Sequence, residues 1–128
     1  MSAMSDYLEN KLLDAVLRNT AFTSPTTVYI GLSTGSFGDD NSGTELTGNN
    51  YSRVSIAFDA ASGGTTDNTS NVEFAAATGS WGSVSHYGLF DASSSGNLLI
   101  HGAFTAAKTI ASGDILRINA GELDITAA

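Results

Sequence analysis

Apolar and polar residues alternate along the last third of this chain with the two-residue period of a strand. Residues 81–90, 97–104, 114–119 and 121–126 carry that alternation, are rich in aromatic and β-branched types, and are parted by Gly/Ser/Asp clusters near 91–96 and 111–114. Upstream, residues 26–32 place Val28, Ile30 and Leu32 on one face with Tyr29 on the other. Residues 51–58 do the same with Val54, Ile56 and Phe58 opposite Arg53, and 71–74 form a shorter run. The pattern predicts a mainly β protein, an antiparallel β-sandwich of about seven strands in a jelly-roll or Ig-like arrangement.

A helical period occurs near the N-terminus. Over residues 5–18, Leu8, Leu12, Ala15 and Val16 line one stripe, flanked by Leu13 and Leu17. Ser5 suits the N-cap, Asp6 and Glu9 suit the positive end of the helix dipole, and Asp14 can pair with Arg18 one turn on. The helix should end near Asn19. Its apolar stripe is expected to cap an open end of the sandwich, or in part to meet neighbouring subunits, with Leu8, Leu13 and Leu17 the candidate oligomer contacts. The expected core comprises Leu12, Val16, Val28, Ile30, Val54, Ile56, Phe58, Val72, Phe74, Leu98, Ile100, Leu116, Ile118 and Ile125.

Two polar, glycine-rich connections interrupt the strands. Residues 33–50 are long for a link inside one domain, and such segments often carry function. This makes Phe37, Asp39, Asp40 and Asn41 the candidate exposed contact loop. Residues 60–71 form a second connection, in which Gly63 and Gly64 read as turn glycines.

A length of 128 residues fits a single domain, 1–128, able to bury its own core. With no cysteine, stability has to come from packing or oligomerisation. The formal charge of −8 opposes binding to phosphate backbones, so nucleic acid is not an expected partner. The start of the chain lacks the basic and apolar regions of a secretory signal, and no apolar stretch approaches membrane-spanning length, so synthesis in the cytoplasm and no membrane partner are expected.

Chemistry-bearing patterns are sparse. His86 and His101 lie in apolar strands without a third ligand in a recognisable spacing. Residues 39–43 have the acidic and amide density of a calcium loop but neither its alternating spacing nor its distal glutamate, since Glu45 comes too soon. No nucleophile elbow is present, and Asp91, Asp114, Glu122 and Asp124 sit at strand ends or turns. Glycines 35, 38, 63 and 64 lack the lysine and the βαβ context of a phosphate loop. Asn68-Thr69-Ser70 matches a glycosylation sequon, relevant only in a eukaryotic secretory route. Trp81 reads as a core anchor, or with Tyr87 as an exposed stacking platform. No catalytic, cofactor-binding or metal-ligating residue is assigned, and no cofactor is expected.

Several separated segments carry a resemblance. Asp6-Tyr-Leu-Glu-Asn-Lys-Leu-Leu-Asp-Ala-Val-Leu-Arg18, Thr26-Thr-Val-Tyr-Ile-Gly-Leu32, Trp81-Gly-Ser-Val-Ser-His-Tyr-Gly-Leu-Phe-Asp91, Gly96-Asn-Leu-Leu-Ile-His-Gly102 and Lys108-Thr-Ile-Ala-Ser-Gly-Asp114 together resemble a family of small tailed-bacteriophage virion proteins, usually labelled phage tail fibre or structural protein. The resemblance spans nearly the whole chain. It implies a phage or prophage origin, a place on the virion surface, no enzymatic activity, and assembly as a homo-oligomer, a trimer above all.

The expectation is therefore a non-enzymatic virion protein, foremost a capsid decoration or cement protein bound to the outer surface of the head through the major capsid protein. The alternatives are a tail fibre or baseplate-associated protein for host attachment, whose partners would be tail or baseplate proteins, and a carbohydrate-binding β-sandwich module.

Overall fold

The computed structural model describes residues 2–127. Among them are nine strands and one helix: β1 (Ser2–Met4), α1 (Asp6–Leu17), β2 (Val28–Ser33), β3 (Val54–Ile56), β4 (Thr65–Asp67), β5 (Val72–Glu73), β6 (Gly82–Phe90), β7 (Leu98–Ile110), β8 (Arg117–Ile118) and β9 (Asp124–Thr126). The main sheet has the order β1-β7-β6-β2-β3, and two short antiparallel pairs, β4-β9 and β5-β8, supply the second layer. All pairings are antiparallel, as the alternating pattern predicts.

Alternation decides what each face of the main sheet buries. Ile30 and Leu32 of β2, and Val84, Tyr87 and Leu89 of β6, form one cluster with Val72, Phe74, Leu116, Ile118, Leu123 and Ile125. Val28, Val54, Phe58 and Ile100 are half-buried against it. A smaller cluster, Phe37, Phe90 and Leu98, lies on the opposite face. There Gly31 and Gly88 are cross-strand partners. A Cβ at Gly88 would stand 2.9 Å from Leu98 and 3.0 Å from Phe90, so two opposed glycines make the flat floor on which the aromatic rings lie.

Two strands lie outside the expected set. β1 is too short to show a period, and its pairing of Ser2, Ala3 and Met4 with Gly102, His101 and Ile100 is a matter of backbone alone. β4 belongs to a hairpin within the expected 60–71 connection: Phe58 pairs with Asn68 and Ser62 with Thr65, around Gly63 and Gly64 at φ 63° and 77°. β7 also runs past the expected end at 104. Val84 pairs with Lys108 and His86 with Ala103, so residues 104–107 stand opposite Ser85 alone and the longer strand bulges outward. The same irregularity lets Val84 and Tyr87, three apart, both face the core.

The helix requires a correction. α1 spans Asp6–Leu17 and contains no fully buried residue, whereas Leu12 and Val16 are expected core positions. Leu12 is 37% exposed and Val16 77%. The physical reason is that the 33–46 segment, through Phe37, already covers the outer face of the sheet. Among the described elements α1 meets only β1 and β7, and the outer half of its stripe is left facing solvent. Only Tyr7, Leu8, Asp14 and Ala15 are half-buried.

Candidate contact surface

The 33–50 segment is pinned to the outer face of the main sheet at three points. Phe37 inserts beside Phe90, ring centroids 5.5 Å apart in an edge-on arrangement, and is 1% exposed. It is thus an anchor and not the exposed contact residue that its place in a polar loop suggests; the glycine floor beneath it is what admits a ring. Gly43 closes the loop, donating its N–H to the Phe37 carbonyl at 2.8 Å, and a Cβ there would run into the Ser36 carbonyl. The second point is Asp39, whose carboxylate lies 2.7 Å from His101 Nε2 while its carbonyl accepts the Asp6 N–H. The third is Glu45.

Glu45 and Arg53 form the most constrained polar group on this face. The guanidinium donates to both Glu45 oxygens at 2.8 and 2.9 Å and to the carbonyls of Ala92 and Ser95 at 2.8 Å, and lies 3.6 Å over the Phe90 ring. Tyr51 donates its hydroxyl to Glu45 and accepts the Leu32 N–H at 2.9 Å. Burial, and then the Glu45 carboxylate, push the Tyr51 phenol far above its ordinary range, so it stays a donor. Arg53 thereby ties together the 33–50 and 91–97 connections.

The tip of the loop remains exposed. Asp40 accepts the Ser42 N–H at 3.1 Å, and hydrogen bonding to Ser42 holds its carboxyl below the usual range. Asn41 adopts φ 57°, a left-handed conformation that asparagine tolerates. Asp39, Asp40 and Asn41 face solvent together, but at a pinned turn.

A second surface is apolar. Leu12, Leu13, Val16 and Leu17 are 37%, 56%, 77% and 74% exposed, and only Ile115 adds to the exposed large apolar side chains among the described residues. Of the three candidate oligomer contacts, Leu13 and Leu17 belong to this patch and Leu8 is half-buried. The anchorage explains the presentation. Ser5 accepts the Leu8 N–H at 3.2 Å and donates to the Leu98 carbonyl at 2.5 Å, while its N–H bonds to Leu99. The helix is held by its first turn, and its second half carries the patch outward.

The remaining chemical candidates are dispersed. His86 and His101 sit two pairs apart in the β6–β7 ladder, and each has its own partner, Ser85 for His86 and Asp39 for His101. Among the described residues no group of three or more His, Asp or Glu is placed to hold a metal. Asp59, Asp67 and Asp124 gather near the β4–β9 pair, where burial and the neighbouring acids raise the Asp67 carboxyl. Trp81 is buried with Tyr51 and Phe74 and donates its indole N–H to the Asn49 carbonyl, which makes it a core anchor and removes the stacking platform. Asn68 of the sequon is buried, its amide bonded to Ser70, Asn119 and Leu123, so a glycan has no access.

Comparison with known proteins places the chain. A family model described as Podophage GP4 fiber I protein gp80 matches residues 3–126. The chain belongs to this family. Membership makes it a bacteriophage virion structural protein, consistent with a body devoted to packing and surface presentation. No curated protein matches the chain. Among the described residues no helix is long and apolar enough to cross a membrane.

Proposed function

We propose that the chain is a structural component of a tail fibre that assembles with further copies of itself, as a trimer, through the exposed face of α1. The family description names a fibre, so the fibre alternative takes the place of the head-decoration expectation. The observation that carries the assembly reading is the patch of Leu12, Leu13, Val16 and Leu17, displayed by a helix whose anchorage lies at its other end. Contiguous apolar surface of this kind marks an interaction site.

Sedimentation equilibrium tests the assembly. The wild-type chain should sediment as a trimer at micromolar concentration, and Leu13→Asp with Leu17→Asp should yield monomers with an unchanged β-type circular dichroism spectrum. A wild-type monomer, or a trimer indifferent to both substitutions, would contradict the reading. Cryo-electron microscopy of the intact particle separates the fibre from the head, since density for the chain on the capsid shell would restore head decoration.

A further inference from the structure

A cleft of about 600 Å³ opens behind the β7 bulge, on the core side of the main sheet and away from both surfaces described above. Phe104, Thr105 and Ala106 of the bulge form one wall, and residues 116–118 and 122–124 form the other. Bulges of this kind commonly re-aim side chains beside functional sites. Here the bulge carries Phe104, whose ring tilts against Tyr87 at 5.3 Å between centroids. The volume lies within the range of small-molecule sites.

The rim bears both signs of charge. Lys108 and Arg117 are two of five cations in the chain, and Glu122 and Asp124 line the same cleft. None of the four takes part in an ion pair among the described residues. Glu122 accepts the Asn119 side-chain amide at 2.7 Å, and a hydrocarbon ligand would offer no partner to its other oxygen or to the remaining three groups. A polyanion would meet Glu122 and Asp124, and a cation would meet Lys108 and Arg117. A ligand that offers donors and acceptors side by side, together with an apolar C–H face, satisfies all of them. Vicinal hydroxyls on a ring have that chemistry: the cations donate to them, the carboxylates accept, and the C–H face lies on aromatic carbon.

We propose that the cleft between the β7 bulge and the β8–β9 segment is a saccharide site that seats a pyranose ring on Phe104, with Lys108, Arg117, Glu122 and Asp124 bonding its hydroxyls. The assignment is independent of the fibre reading, because a fibre subunit assembles through α1 whether or not it holds a sugar.

Titration of the ¹⁵N-labelled full chain with lactose, maltose and N,N′-diacetylchitobiose at millimolar concentration, with glycerol as control, tests it by amide chemical shifts. At least one disaccharide should move the amides of Ala103, Thr105, Lys108, Leu123 and Asp124 while those of α1 stay in place. Phe104→Ala should abolish the effect. Because Phe104 also packs on the core, the exposed rim variants Arg117→Ala and Asp124→Asn provide the second arm, each weakening binding about tenfold. Absence of shifts with all three sugars, shifts matched by glycerol, or affinity unchanged in both rim variants would overturn the proposal. Movement of these cleft amides, rather than those of α1, on dilution of the protein alone would also overturn it, by assigning the cleft to a neighbouring copy.

Discussion

Arg53 is the residue on which the outer face depends most. Its side chain is 7% exposed and Glu45 retains 23%, so the pair is nearer a buried bridge than a surface one. Truncation would leave Glu45 and two carbonyls without their donor. We expect Arg53→Ala to cost about 3 kcal/mol, less than the full penalty for a wholly buried pair because Glu45 keeps some water. Arg53→Lys should recover less than half of the loss, since an ammonium cannot make the planar, two-oxygen contact or cover the Phe90 ring. Urea denaturation of the three proteins measures both. The sequence offered Arg53 only as the outward residue of an alternating strand; its partners lie eight and about forty positions away and were not legible there.

At the scale of elements, α1 was legible as a helix but not as to what it would bury. Its period, its Ser5 cap and its end at Asn19, where φ reaches 52°, follow from local chemistry. Ser5→Ala removes the cap and the hydroxyl bond to Leu98 together, and we expect a loss of about 2 kcal/mol, the upper end for a cap. Amide exchange provides the check: α1 should lose protection first, while the β2–β6 and β6–β7 ladders keep theirs. Uniform loss across sheet and helix would mean that α1 is integral to the sandwich and not an appendage on it. The two strands absent from the pattern, β1 and β4, have a common explanation. Short segments of small or polar residues carry no period, and what fixes them is the partner that tertiary structure brings alongside.

For the molecule as a whole, the two layers imply a definite response to alkali. Tyr87 faces the core, and burial, followed by the negative charge of Asp124, pushes its phenol up to about 12; Tyr51 is raised as well. A raised folded-state value means that the folded chain binds the proton more tightly than the unfolded chain. The associated stability is therefore complete below the ordinary tyrosine value near 10 and is lost as pH rises from there toward about 12. The melting temperature should fall across that interval, and the fall should be shallower in Tyr87→Phe. An identical slope in the variant would show that Tyr87 is not a group that drives it.

The sequence by itself determined the β class, the antiparallel pairing, the helix with its cap, and most of the inward positions, because those depend on periods of two and about 3.6 residues and on the chemistry of single side chains. Ile30, Ile56, Val72, Phe74, Leu116, Ile118 and Ile125 are buried where alternation put them. Tertiary structure decided the rest. Phe37 became an anchor because Gly31 and Gly88 meet across two strands, Leu12 and Val16 lie at the surface while Phe37 fills the outer face beside Phe90 and Leu98, and the β7 bulge opened a cleft through a register shift. Each of these depends on which distant segment occupies a shared face, and a local pattern of apolar and polar residues carries no record of its neighbours in space.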